Sequence, residues 1–154
     1  MSHPQGKCNR SLSSYTPKKR PQMLIKHGFK CLPARNKQPI DRHKGSDYDS
    51  LKFSAKQWKA AQQFVMKTGA ESNITVVDVD GDYEWFAAFS KKYKFPDTAR
   101  VDTPSGGFHL YFQYDERIQD MTKGWANGSK FGQEHEIDID IRSGGIIVGP
   151  GSLY

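Results

Sequence analysis

Cysteine is scarce in this chain, long apolar runs are missing, and acidic side chains are almost absent from its first half. Only Cys8 and Cys31 occur, without CxxC spacing. That excludes a disulfide-stapled secreted scaffold and gives no zinc site, so two free thiols are expected. No apolar stretch approaches the ~20 residues that cross a bilayer. The opening MetSerHisProGlnGlyLys also lacks the apolar centre of a signal peptide. A soluble intracellular protein with no membrane partner is expected. Neither GxGxxG nor GxxxxGKS/T occurs, although glycine pairs stand at Gly106/Gly107 and Gly144/Gly145. A doubly wound dinucleotide fold and a P-loop are therefore not expected.

What is present is a charge asymmetry larger than the net charge of +6. Residues 1–70 carry 15 Lys and Arg against 3 Asp and Glu, or +12, whereas residues 71–154 carry 8 against 14, or −6. The basic half is a candidate phosphate-binding surface, and the acidic half holds the candidate cation site. The 154 residues are enough for one domain with a sizeable core.

Residues 1–20, rich in Ser, Pro, Lys, Asn and Arg, have too little apolar surface to offset ordering and read as a flexible basic arm. The domain proper is expected over 21–154. Pro21 to His27 predicts a short helix stopped by Gly28, and Phe29 to Pro33 a strand. Ala34 to Lys52 reads as a basic loop carrying Arg35, Lys37, Arg42 and Lys44. Ser54 and Gln57 have capping-box spacing, and Trp58, Ala61 and Val65 then share one face of a helix predicted to run to Gly69, with Trp58 in the core. A strand over Ile74 to Asp80 is followed by a GlyAsp turn and a helix bearing Phe86, Phe89 and Tyr93 that ends near Pro96. Strands are expected at Ala99 to Asp102, Phe108 to Tyr114, Glu136 to Arg142 and Ile146 to Gly149, with a long mobile polar loop from Asp115 to Gln133. Helices among short, hairpin-like strands predict an α+β domain with a mixed or mostly antiparallel sheet.

Three segments carry the chemistry. In IleThrValValAspValAspGlyAsp, Ile74 to Asp82, the alternation of a strand puts Asp78 and Asp80 on one side at its end. Two acids so close repel unless a cation lies between them. In Thr103 to Phe112, His109 and Tyr111 lie opposite the apolar face of Phe108, Leu110 and Phe112, and the preceding Ser105, Gly106 and Gly107 let backbone approach a phosphate. In Glu136 to Gly145, Ile137, Ile139 and Ile141 alternate with Glu136, Asp138, Asp140 and Arg142. A row of acids beside the first pair is easiest to explain next to a metal or a basic partner, and hard oxygen donors favour Mg²⁺ or Mn²⁺. Two such ions could activate a 3′-hydroxyl and neutralise a departing pyrophosphate, with His109 and Arg142 contacting the triphosphate.

Together these segments resemble the archaeo-eukaryotic primase superfamily, in particular the primase-polymerase domains of viruses, plasmids and mobile elements. The family's acid-x-acid, histidine-ending and hydrophobic-acid motifs look like Asp78-Val79-Asp80, Ser105-Gly-Gly-Phe-His109 and Ile139-Asp140-Ile141-Arg142. Lys67 to Asp80 is especially similar to primase domains of large DNA viruses, and the likeness runs from about Gly28 to Tyr154. It implies a primase-type catalytic core with an RRM-like sheet beside a small α/β unit. It further implies Asp78, Asp80 and Asp140 as catalytic metal ligands, and His109, Ser105, Gly107 and Arg142 as the nucleotide-binding set. Gly107 stands where the family often has serine, so a side-chain phosphate contact is lost or moves to Ser105. The implied partners are a single-stranded DNA template held by Arg35, Lys37, Arg42 and Lys44, nucleoside triphosphates, and a replicative helicase. Family members usually continue past the third motif, so the domain is expected to be cut short at Tyr154. A primer-making DNA primase/polymerase is the leading expectation. A catalytically incomplete nucleic-acid-binding fragment and a metal-dependent phosphodiesterase are the alternatives.

Overall fold

The computed structural model describes residues 19–40, 53–80, 83–118 and 139–152. The expected N-terminal arm, most of the polar loop after Asp115, and Arg42 and Lys44 lie outside these residues. Helix α1 (Arg20–Lys26) has Pro in its first turn, where the missing N–H costs nothing, and buries Leu24. Strand β1 (Cys31–Arg35) follows, two residues later than the sequence suggests. It turns at once into β2 (Gln38–Pro39), so the expected basic loop begins as a hairpin.

The capping box forms as predicted: Ser54 accepts from the Gln57 N–H and Gln57 reaches back to the Ser54 N–H. The helix it starts is only α2 (Ala55–Ala60), because Ala61 is extended, at φ −74 and ψ 129. The predicted continuation to Gly69 is wrong. Gln63–Lys67 instead form strand β3, paired with β1 on one side and with β8 (Ile146–Val148) on the other. Phe64, Val65 and Met66 are all buried, so burial on both faces outweighs the helical spacing of Trp58, Ala61 and Val65. Trp58 packs against the core as expected.

The remaining elements are β4 (Ile74–Val79), α3 (Tyr83–Tyr93), β5 (Ala99–Asp102), β6 (Phe108–Gln113) and β7 (Ile139–Arg142). They complete two four-stranded sheets, ordered β2-β1-β3-β8 and β5-β6-β4-β7. Every ladder among the described residues is antiparallel, and the class is α+β.

The chain passes from the first sheet to the second after β3 and returns between β7 and β8, and the two crossings meet. Thr68, fully buried, accepts the Gly144 and Gly145 N–H groups at 3.2 and 3.0 Å and donates its own N–H to Gly145 O at 2.9 Å. Thr75 and Ser143, also buried, share a 2.8 Å hydroxyl contact beside this clamp. One core lies between the sheets, where Phe64, Met66 and Ile147 meet Ile74 and Val76 under Leu24. A second, on the far side of the β4 sheet, packs Val77, Val79, Phe108, Leu110 and Ile139 against Phe86 of α3. Phe86 meets Phe108 edge-on at 5.0 Å between ring centres and Phe95 at 5.7 Å. Burial on both faces holds β4, the strand that carries the acid pair, at the centre of its sheet.

Candidate active site

Strand β4 lies between β6 and β7, and its register brings several of the candidate residues together. Asp78 is the direct partner of His109 on one side and of Asp140 on the other. Opposed residues in an antiparallel pair share a face, so the two carboxylates and the imidazole stand in one row. Arg142, opposite Val76, and Tyr111, also opposite Val76, stand on the same face one step along. Asp80 is exposed immediately past the end of β4.

Two directly opposed carboxylates repel, and here a guanidinium relieves them. Arg142 Nη2 is 2.8 Å from Asp140 Oδ2 and 3.8 Å from Asp78 Oδ2. The other Asp78 oxygen, Oδ1, lies 3.3 Å from His109 Nε2. The far ring nitrogen, Nδ1, is 3.3 Å from the Tyr111 hydroxyl, which fixes the plane of the imidazole. His109 is buried. Arg142 Nε is buried with no hydrogen-bond partner among the described residues.

The turn between β5 and β6 forms the rim. Thr103 N–H donates to Gly107 O at 2.8 Å, Gly106 N–H donates to Thr103 O at 3.1 Å, and the Thr103 and Ser105 hydroxyls are 3.1 Å apart. Gly106 has φ +93, and a side chain at Gly107 would put its Cβ 2.3 Å from Val79 O. Gly107 is therefore required for the turn to lie on the end of β4, next to Asp80. A serine at this position could not be accommodated without moving that backbone.

Asp78, Asp80, His109, Arg142 and Ser105 line one cavity of about 540 Å³, the size range of a small-molecule site. From the first sheet, Lys37, Gln38, Val65 and Ile146 to Val148 complete it. Of the expected template residues, Lys37 thus joins the site, whereas Arg35 lines a separate cavity of about 390 Å³ with Lys56 and Gln57. Tyr111, Thr103 and Gln38 are site-facing residues the sequence reading did not select. The signal for Tyr111 was its place two residues after His109 on the same strand face.

The three expected metal ligands are not closed around one point: among the described residues no three acid, imidazole or thiol groups form a cation cage. Asp78 and Asp140 face each other and Asp80 stands beyond them. The donors nevertheless suit a hard divalent ion. They are carboxylate oxygens on paired positions, and a positively charged guanidinium already sits against both. Of the described helices, none is long and apolar enough to cross a membrane.

Residues 22–154 match the family model for the N-terminal domain of bifunctional DNA primase/polymerase. No curated protein matches the chain significantly. The chain belongs to the bifunctional primase/polymerase family, whose function class is DNA primase/polymerase, with DNA and nucleotides as ligands and divalent metals in general use.

Proposed function

We propose that this member of the family is a template-directed nucleotidyltransferase that makes or extends primers on single-stranded DNA, in the replication of a virus or mobile element. The observation that carries the reading is the direct pairing of Asp78 with both Asp140 and His109, with Asp78 and His109 on the wall of one cavity. Mg²⁺ or Mn²⁺ held by Asp78, Asp80 and Asp140 would activate the primer 3′-hydroxyl and neutralise charge on the departing pyrophosphate.

The protein's own groups supply position and charge, which is most of what phosphoryl transfer demands. His109, oriented by Tyr111, donates to a phosphate oxygen of the nucleotide. Arg142, the strongest donor on the wall, offers its guanidinium edge to the triphosphate. Ser105 and the backbone of the 103–107 turn close over the phosphates, and Gly107 keeps that turn against Asp80. Arg35, Arg42 and Lys44 would track the template backbone, with affinity falling as salt rises. A replicative helicase is the protein partner that fits this role.

The test is incorporation of labelled nucleotides on single-stranded DNA with Mg²⁺ or Mn²⁺, comparing the parent with the Asp78→Asn/Asp80→Asn variant. Synthesis by the parent alone supports the reading. Equal synthesis by both overturns it, and salt-sensitive DNA binding with no synthesis by either makes the chain a binding module instead.

A further inference from the structure

The β1–β2 hairpin reaches the catalytic cavity from the opposite sheet, and its turn carries an unusual residue for its geometry. Arg35 pairs with Gln38, leaving Asn36 and Lys37 as a two-residue turn with φ of +50 and +62. Positive φ at both positions matches the right-handed twist of the flanking strands, and Asn followed by Gly is the favoured pair. Asn36 suits its place. Lys37 does not, because a Cβ in the left-handed region crowds its own backbone in a way glycine avoids.

A hydrogen bond from the neighbouring strand holds this conformation. The Lys37 N–H donates to Gln63 Oε1 at 2.7 Å, and Gln63 is the β3 partner of Ala34. Lys37 then lines the cavity shared with Asp78, Asp80, Ser105 and His109. A strained residue at a cavity edge is a reason to ask what its side chain does there.

We propose that Lys37 is a phosphate-binding residue of the nucleotide site, its ammonium contacting the triphosphate of the incoming nucleotide. Lysine stands where glycine would fit the turn better, and it does so on the cavity that Asp78 and Asp80 also line. This rests on the nucleotidyltransferase reading and adds to it a contribution from the first sheet. The template backbone could offer the same phosphate chemistry. The placement favours the nucleotide, since Lys37 shares its cavity with the acid pair and the 103–107 turn, whereas Arg35, at the other end of the same turn, faces a different cavity.

The experiment compares the parent with Lys37→Gly, Lys37→Arg and His109→Ala. It measures binding of a fluorescent nucleoside triphosphate with Mn²⁺, nucleotide KM and kcat, affinity for labelled single-stranded DNA, and Tm. Lys37→Gly is expected to raise the nucleotide Kd and KM roughly 10- to 100-fold, the range for losing one charge-assisted hydrogen bond. It should leave Tm equal or higher, because glycine relieves the turn. Lys37→Arg should keep most of the affinity, and DNA binding should change little in either variant. If His109→Ala weakens nucleotide binding and Lys37→Gly does not, the proposal falls and the nucleotidyltransferase reading stands. Loss confined to DNA binding makes Lys37 a template contact, and a lowered Tm with matching losses everywhere makes it structural; either overturns the proposal. A parent that neither binds nor incorporates triphosphate overturns both.

Discussion

Replacing Arg142 with glutamine tests how the acid row is held in the absence of metal. The guanidinium lies 2.8 Å from Asp140 and 3.8 Å from Asp78, and side-chain exposures of 19% for Arg142, 20% for Asp140 and 15% for Asp78 put the trio between surface and interior. An exposed ion pair contributes ~0–1 kcal/mol, and breaking a fully buried one costs ~3–5 kcal/mol. For this partly screened trio, and with two opposed carboxylates left facing each other, a loss of about 2 kcal/mol follows. In a domain of this size that lowers Tm by about 4–8 °C. The assay is thermal unfolding followed by circular dichroism in EDTA, at neutral pH and low salt, where screening is weakest. Adding Mn²⁺ should raise the Tm of Arg142→Gln more than that of the parent, because the cation relieves the repulsion that the arginine no longer does. A variant that melts within about 1 °C of the parent in EDTA would refute the assignment of Arg142 as internal counter-ion.

Three further outcomes are expected. Gly107→Ala forces a Cβ to within 2.3 Å of Val79 O unless the backbone shifts. It should cost ~1–3 kcal/mol in urea unfolding and weaken nucleotide binding as the 103–107 turn lifts away from Asp80. Burial pushes the Cys31 thiol from 9.0 up to about 12, so the native state keeps it protonated after the unfolded chain has lost the proton. Its contribution to stability is therefore intact below pH 9 and falls by about 1.4 kcal/mol per pH unit above it. The stability difference between the parent and Cys31→Ala, measured by urea unfolding at several pH values, should narrow accordingly, and Cys31 should resist thiol reagents at neutral pH until the protein unfolds. Phe86→Ala removes the ring that joins Phe108, Phe95 and Phe89 and should cost ~3–5 kcal/mol by chemical denaturation.

Asp78, His109 and Asp140 were legible because each stands between apolar neighbours that point to the opposite face of its strand. The alternation of Val77 and Val79, of Phe108 and Leu110, and of Ile139 and Ile141 fixes which way the polar residues point. Their mutual register was not legible, since it depends on long-range pairing that no local pattern encodes. The same physics explains the error at β3. Phe64 and Met66 face the core between the sheets while Val65 packs on Leu32 and Ala34, so both faces are apolar and the strand period disappears. The capping box at Ser54 correctly marks a helix start, but it carries no information on length. Lys37 was read as part of a loop because Ala34 to Lys52 is polar, with Asn, Pro, Asp, Gly and Ser, and its two-residue turn lacks the glycine that usually marks a hairpin. The guanidinium between Asp78 and Asp140 was also invisible, because Arg142 was assigned to the ligand and not to its neighbours.

The central claim is that Asp78 and Asp140 act as one unit in nucleotidyl transfer, and single-turnover extension of a primed single-stranded template by one labelled nucleotide tests it most directly. Asp78→Asn and Asp140→Asn should each lower the rate by orders of magnitude, and the double variant should be no slower than the worse single one, as for groups that act together. Extension by the parent together with near-parental rates in either single variant would contradict the account.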